Sequence, residues 1–324
     1  MNKLLMSVAM CTFNGEQYLK EQLDSINSQI FLPYELIICD DGSTDRTMQL
    51  VSDFSFRAKF KVQVFSNEVN LRSTKNFEKA IGLCNGDVIV LADQDDIWRE
   101  DKLTLICEEF LKNQEVGLVF SNGHIVNYEG LQLGGSLWDS FRFTSIEQKR
   151  IESGEAFDVL LGHSIVTGAT MAFRTKFVDL ICPIPVDWVH DGWISLLIST
   201  VAKIKPINIP LISYRKHSSQ QIGVGNKKGM ISKLKNVNCS DDFLIYIKQS
   251  QLLKQKLLSL PATSSSQRHV NLIDDRLSHL KVRVGTISLN YLKRMPLILR
   301  ELLILRRYHK YSNGVGSFVK DIFK

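Results

Sequence analysis

The tetrad Asp93-Gln94-Asp95-Asp96 sets three carboxylates within four residues, directly after the apolar run Asp87-Val88-Ile89-Val90-Leu91-Ala92. That run, rich in β-branched residues and preceded by the turn pair Asn85-Gly86, reads as a buried strand whose carboxyl end opens into an acidic loop. Side chains two apart on an extended chain point the same way, so Asp93 and Asp95 can converge on one point. A hard divalent cation would offset their repulsion, and a cation carrying phosphate oxygens is the natural occupant. A solvated acidic turn, capping a helix that starts near Trp98, is the competing reading for so short a motif.

Two more polar clusters occupy equivalent positions. The strand-like run from Leu4 to Cys11 ends in Thr12-Phe13-Asn14-Gly15, and Leu36-Ile37-Ile38-Cys39 ends in Asp40-Asp41-Gly42-Ser43-Thr44-Asp45. Open α/β sheets bind ligands in the crevice beyond the carboxyl ends of their strands. Amides, hydroxyls and carboxylates delivered to that edge by three successive strands therefore point to one shared site.

The elements that must hold these loops alternate, with strands at 4–11, 34–39, 61–66, 87–92 and 116–121 and helices at about 16–29, 44–54, 73–83 and 97–112. Such alternation implies right-handed crossovers and a largely parallel sheet covered on both faces. Ser43 or Thr44 is placed to cap the second helix, and Ser73 or Thr74 the third. After residue 122 the rhythm breaks into a long glycine-containing stretch with Trp138, Phe141 and Phe143, of a kind more often functional or mobile than filler. Order returns with a strand at Thr167 to Phe173, a helix from about Asp191 to Ala202 and a strand from Ile207 to Tyr214. Ser218 to Gly229 reads as a flexible linker or lid. Helical patterns follow at about 243–258, 267–283 and 288–311, with Pro296 expected to kink the last or start a new helix.

At 324 residues the chain exceeds a typical single domain, so one large α/β domain with an appendage is expected. Hydrophobic residues at 44% and charged residues at 23% exclude wholesale disorder. Cys11, Cys39, Cys84, Cys107, Cys182 and Cys239 form no CxxC pair and several fall within apolar patterns, which suits buried thiols in a reducing compartment rather than disulfides or a zinc site. No stretch approaches the ~20 apolar residues of a membrane span. The apolar start, with one lysine before it and Met10 at a poor cleavage position, reads as the first strand rather than a signal. A cytoplasmic protein, peripheral on the membrane at most, is the expectation. From Arg276 onward eleven Lys and Arg face only Glu301 and Asp321, a surplus of nine that leaves residues 1–275 at −3. With leucines interspersed, an anionic membrane surface suits that tail better than nucleic acid, for which no motif is present. A helix packed on the rest of the protein, with a solvated basic face, is an equal reading.

Along the chain lie Thr12-Phe13-Asn14-Gly15, Ile38-Cys39-Asp40-Asp41-Gly42-Ser43-x-Asp45, Asn70-Leu71 with Lys75-Asn76-Phe77, and Asp93-Gln94-Asp95-Asp96-x-Trp98. Thr167-Gly168-Ala169-Thr170-Met171-Ala172-Phe173, His190-Asp191-x-Trp193 and Tyr214-Arg215-x-His217 follow. In this order the motifs resemble the inverting family 2 glycosyltransferases, from Ser7 to about Gly223. The tetrad and the His-Asp motif are most similar to bacterial rhamnosyltransferase-like enzymes of surface polysaccharide synthesis, such as O-antigen or capsule. The resemblance implies an A-type glycosyltransferase fold: α/β, a mostly parallel sheet flanked by helices, with a C-terminal helical appendage. It divides the chain into a catalytic domain at 1–225, with a Rossmann-like nucleotide-sugar half at 1–121 and an acceptor side at 122–225, and a basic helical region at 226–324. Relatives usually carry glycine where this chain has Arg72.

The resemblance also implies roles. Asp40 and Asp41 would accept from a pyrimidine ring N–H, with Thr12 and Asn14 lining the base and ribose, although Asp40 could instead cap the second helix. Asn70, Arg72, Lys75, Asn76, Asp93, Arg215 and His217 complete the donor-binding set. Asp93 and Asp95, with Asp96 and His217, would hold Mg²⁺ or Mn²⁺ against the diphosphate of a dTDP- or UDP-sugar. Asp191 is the general base that removes the acceptor hydroxyl proton in one displacement, or else simply a first-turn helix acid. Gly168, His190 and Trp193 would meet the sugar or acceptor, Trp193 being equally suited to the core. The reaction implied is metal-dependent inverting transfer, with dTDP-rhamnose the first donor to consider and a UDP-hexose the alternative, onto a lipid-linked glycan. A phosphotransferase or phosphatase using a D-x-D nucleophile is disfavoured, because that motif belongs after the first strand and here follows the fourth. A non-catalytic glycan- or nucleotide-binding module is disfavoured by intact candidates for base site, metal site and catalytic base.

Overall fold

The computed structural model describes residues 4–217, 239–261, 264–312 and 314–322. The sequence's apolar runs become β1 (Met6–Thr12), β2 (Glu35–Asp40) and β4 (Val88–Ala92), with every residue of β2 and β4 buried. The more exposed β3 (Lys61–Ser66) closes that flank as an edge. These four pair in parallel in the order β3-β2-β1-β4, linked by α1 (Leu19–Asn27), α2 (Thr47–Ser55) and α3 (Arg72–Gly82). The register sets Thr12 beside Asp40 and Met10 beside Ala92, so the loops after β1, β2 and β4 emerge at one edge.

Beyond β4 the sheet becomes mixed, running β4-β8-β6-β9-β5. β8 (Met171–Arg174) lies antiparallel between β4 and β6 (Val116–Val126), and β6 pairs in parallel with β9 (Lys203–Arg215). The whole is a mostly parallel, mixed sheet flanked by helices, followed by a helical C-terminus. The helix expected from residue 97 starts later, at α4 (Lys102–Lys112), because Ile97 and Trp98 form the short β5 against Ser213 and Ile212 of β9. The expected strand at 167–173 begins as a 3₁₀ turn, Gly168–Thr170.

The stretch after residue 122, expected to be irregular, is ordered. β7 (Gln132–Ser136) pairs with β6, and α5 (Leu137–Phe141) and α6 (Ser145–Glu152) follow, each opened by a capping box, Ser136 with Asp139 and Thr144 with Glu147. These boxes satisfy orphan N–H groups reciprocally and are readable in sequence once the S-x-x-D and T-x-x-E spacings are noticed. Trp138 packs edge-on against Phe143 at 4.8 Å. The expected caps of α2 and α3 are replaced as well. Asp45 accepts the Thr47 N–H at 2.9 Å, and α3 is capped by Asp41 from the loop after β2.

The chain forms two compact units, one of 1–156 with 165–224 and one of 157–164 with 225–324. In the second, helices Cys239–Leu258 and Ser264–Ile287 pack together, and the expected 288–311 helix is divided. Pro296 sits inside Tyr291–Leu299, a π-helical turn spans Arg300–Ile304, and Arg306 takes the left-handed φ of 52° before Arg307–Tyr311 and Val315–Ile322. Much of the basic surplus is turned inward, which corrects the expectation of a single solvated face: Arg283 pairs with Asp321, Arg307 with Asp275 and Glu301, and buried Arg294 donates to backbone carbonyls. Ser218 to Gly229, the expected linker or lid, lies outside the described residues.

Arg72 opens α3 with a φ of 63°, and its backbone explains why a glycine suits this position. A left-handed conformation costs a residue with a Cβ roughly 1–2 kcal/mol. Arg72→Gly should therefore raise the urea midpoint, by about 1 kcal/mol of stability at unchanged m-value; an unchanged or lowered midpoint would show that the arginine side chain offsets its backbone.

Candidate active site

The β1 and β2 loops are locked to each other before any ligand is considered. Asp40 is 2% exposed, and its carboxylate accepts from the Thr12 hydroxyl at 2.8 Å, the Ser43 hydroxyl, and the Gly42 and Ser43 N–H groups. A carboxylate offers about four lone-pair sites. All are used, which corrects the expectation that Asp40 and Thr12 meet the base: both close the β2 turn. Asp41 differs, since it accepts from Asn67 Nδ2 at 2.8 Å, Leu71 N at 2.7 Å and Arg72 N at 2.8 Å, leaving one acceptor direction open. Asn76 is also internal, donating to Cys39 O and accepting from Asn67. Asn70 spans the turn from Asp41 O to Arg72 N, and Lys75 is paired with Glu78 at 2.8 Å. Asn14, at φ 47°, holds the Thr44 N–H through its amide oxygen. Asparagine tolerates that backbone better than most residues.

The tetrad is held by the β1 loop and by the end of β9. Gln94 grips the Phe13 backbone at both ends, accepting its N–H at 2.9 Å and donating to its carbonyl at 3.0 Å. This grip demands glycine at 15, where a Cβ would stand 2.3 Å from Gln94 Oε1. Asp96 is 1% exposed and accepts the Arg215 N–H through one carboxylate oxygen, so it is tied to the β9 backbone and less open to a ligand than Asp93 or Asp95. Arg215 is equally buried, donating to Asp95 O, Tyr128 O and Glu21, with its guanidinium over the Tyr18 ring. It anchors the acidic loop rather than reaching a phosphate. His217 does meet the tetrad, with Nε2 2.8 Å from Asp95 Oδ2 and its ring 4.8 Å from Tyr18.

A further carboxylate comes from α9 (His190–Ser199), which follows α7 (Ala156–Gly162) and α8 (Val178–Ile181). Asp191 sits in its first turn, with Oδ2 accepting the Gly168 N–H at 3.2 Å and Oδ1 the Gly192 N–H. His190 is closed off rather than offered to a sugar: it is 5% exposed, stacks on Phe77 at 4.2 Å, and lies against Gly168, where a Cβ would fall 2.6 Å from Nε2. Gly168 thus makes room for the imidazole, and its N–H orients Asp191. Trp193 is 2% exposed and donates its indole N–H to Ile181 O, so of its two readings the core one holds.

Repulsion governs the electrostatics. Burial, then Asp95 and Asp191, push the Asp93 carboxyl up to about 7, and Asp93 accepts no hydrogen bond from any described residue. Burial raises Asp191 to about 6 against the pull of the Gly192 and Gly168 N–H groups. Asp96 is pushed well above the usual carboxylate range by burial and by Asp95 and Asp93. Beneath them lies a cation overlooked in sequence, Lys102, fully buried and drawn down to about 7 by burial while Asp96 and Asp93 oppose that fall. Its signal was its place: a lysine in the first turn of a helix opposes the helix dipole. Among the described residues no three His, Cys, Asp or Glu side chains are already grouped to hold a metal ion. The donor chemistry of Asp93 and Asp95 nevertheless suits a hard cation, whose charge would relieve the repulsion that raises Asp93.

Comparison with known proteins gives the family. Residues 7–179, more than half of the chain, match the family described as Glycosyl transferase family 2, and the chain belongs to that family. It is similar to an uncharacterized glycosyltransferase, alr2836, of Nostoc sp., at 25% identity over 66% of this chain and 65% of that protein. It is also similar to Escherichia coli WfgD, named UDP-Glc:alpha-D-GlcNAc-diphosphoundecaprenol beta-1,3-glucosyltransferase, at 29% identity over 39% of this chain and 49% of that one. The chain therefore spans less than two thirds of the length of these two relatives. The fold is that of the crystal structure of Staphylococcus aureus TarS 1–349 in complex with UDP-GlcNAc, with a TM-score of 0.55 and 18% identity over 98% of this chain and 82% of that one.

A carboxyl raised in the folded state favours folding while it is protonated, and that contribution is lost as pH rises through the folded value. For Asp93 the loss accumulates as pH rises from its ordinary value of 3.8 to about 7 and is complete above that. Asp93→Asn should therefore melt higher than the parent at pH 8 in EDTA, with the difference shrinking towards pH 5. A lower melting temperature at pH 8 would mean that Asp93 is not held against repulsion.

Proposed function

We propose that the protein is an inverting glycosyltransferase that moves a sugar from a dTDP- or UDP-sugar to a lipid-linked glycan during surface polysaccharide synthesis. The observation that carries this reading is the convergence of Asp93 and Asp95, at the end of β4, with Asp191, at the start of α9: a phosphate-side acidic pair facing a separately oriented carboxylate. Family membership and WfgD's printed donor and acceptor support the substrate class. dTDP-rhamnose is the first donor to test, on the likeness of the tetrad and the His-Asp motif to rhamnosyltransferase-like sequences, and a UDP-hexose is the second.

Asp191 serves as the base. The Gly168 and Gly192 N–H groups fix its carboxylate, and its value of about 6 keeps it ionised yet basic near neutral pH. As the acceptor oxygen attacks the anomeric carbon, its proton passes to Asp191 and the bond to the nucleoside diphosphate breaks. Asp93 and Asp95 are the residues to hold Mg²⁺ or Mn²⁺, with His217 on Asp95 as a third candidate. The cation, when bound, neutralises the leaving diphosphate as a Lewis acid. The open acceptor direction of Asp41 is available to a pyrimidine N–H. Arg72 is exposed at the mouth of the same loop.

The acceptor's lipid places the protein at the cytoplasmic membrane face. No helix among the described residues is long and apolar enough to cross a membrane, but Leu292, Leu303 and Ile304 are 82%, 66% and 75% exposed, alongside exposed Lys293, Arg300 and Arg306. Apolar tips among cations suit reversible binding to an anionic bilayer.

Nucleoside diphosphate release across dTDP-, UDP- and GDP-sugars, followed by mass spectrometry, tests the reaction. Asp191→Asn should keep donor affinity by calorimetry while losing transfer by about 10²–10⁴-fold, and the parent's kcat should fall as pH drops through about 6, where Asp191 takes up a proton. A mutant that mainly loses donor binding would remove Asp191 from the base role. Asp95→Ala should abolish the metal-dependent rate; near-normal turnover of that variant in EDTA would exclude metal. For the membrane, Leu303→Glu with Ile304→Glu should release the full-length protein from anionic liposomes in flotation, and high salt should do the same. Equal flotation of both proteins would assign this surface to a protein partner.

A further inference from the structure

Lys102 is a buried cation in the site that the proposed reaction does not use. Removing an ammonium from water costs several kcal/mol, and Lys102 is 0% exposed at the first turn of α4, where the helix dipole disfavours a cation. Its surroundings show what holds it there. Nζ donates to Ala169 O at 2.8 Å and lies 3.8 Å from the centroid of the Trp98 ring. Trp98 belongs to β5, which follows the tetrad directly, and Ala169 is the middle residue of the Gly168–Thr170 turn. The residue before it, Gly168, donates the N–H that orients Asp191, and packs so closely on His190 that no side chain fits there. One ammonium therefore links the acidic loop's own helix to the turn that aims the proposed base.

We propose that Lys102 is a positioning residue for Asp191: through Ala169 O it fixes the Gly168–Thr170 turn, and with it the Gly168 N–H, relative to the loop that carries Asp93 and Asp95. The inference rests on Asp191 being the base. Its electrostatic setting is consistent, since Asp96 and Asp93 both favour the charged form of Lys102. An apolar residue of the same length would fill the space while leaving the Ala169 carbonyl buried without this donor. The turn would then be free to shift, and a 1 Å misplacement costs about 10²-fold in rate.

The test is a double-mutant cycle in the full-length chain. Lys102→Met should lower kcat about 10²-fold with a small change in donor KM, and UDP and dTDP affinities in Mg²⁺, measured by calorimetry, should stay within about threefold. In the Asp191→Asn background the same substitution should cost less than about threefold more, because a residue acting through Asp191 has nothing left to position. Lys102→Gln, uncharged but still able to donate to Ala169 O, should recover part of kcat. If Lys102→Met fails to fold, the cycle is read with Lys102→Gln, whose smaller loss should likewise vanish beside Asp191→Asn. Additive losses, or a loss of nucleotide affinity as large as the loss of kcat, would overturn the inference. An Asp191→Asn variant that keeps full transfer would instead overturn the assignment of the base.

Discussion

Mutual repulsion among carboxylates at the end of β4 is the constraint on which the rest of this site depends. Asp93, Asp95 and Asp96 follow one another within four residues, and Asp191 is brought to the same place from α9. Left alone, such a cluster would protonate or push its loop into solvent. Two buried cations from elsewhere in the fold hold it. Arg215 arrives on β9, gripping Asp95 O through its guanidinium and Asp96 through its N–H, and Lys102 lies beneath on α4. Neither donates a hydrogen bond to Asp93; Lys102 only partly offsets its repulsion, so Asp93 is the group best suited to a cation.

The mixed half of the sheet exists, in this sense, to deliver those partners. A purely parallel continuation past β4 would leave the acidic loop at an edge. Instead β8 inserts antiparallel beside β4, carrying the Gly168–Thr170 turn to the loop, and β9 reaches across to pair with β5 directly after the tetrad. On the donor side the economy is of another kind. Most polar groups at the ends of β1 and β2 bind one another, so that Asp41 is left as the acceptor with a free direction. A rigid, self-satisfied edge with few open valences is what a site needs if ligand binding is not to be spent on ordering loops.

Residue types and spacing made much of this legible. The four parallel strands, the shared edge of their loops, the convergence of Asp93 with Asp95 and the family motifs all follow from local pattern, because apolar β-branched runs and turn residues act over a few positions. The capping boxes at Ser136 and Thr144 are equally local, each a hydroxyl and a carboxylate three residues apart. What local pattern misread were polar residues that bond within the fold, several of them to partners far along the chain. Thr12, Asp40, Asn76 and Arg215 have the chemistry of ligand-binding groups, and the structure employs them internally, Arg215 bonding to Glu21 across 194 residues.

By itself, then, the sequence determined the class of fold and the shared edge to which the polar loops after β1, β2 and β4 are delivered. Only the tertiary structure decided which of the many polar side chains remain open there. A hydrogen bond or a buried charge is satisfied by whatever atom stands within about 3 Å, and sequence spacing says nothing of which atom that is. Gln94 became a clamp, Trp193 a core residue and Lys102 a buried link to the base for that reason.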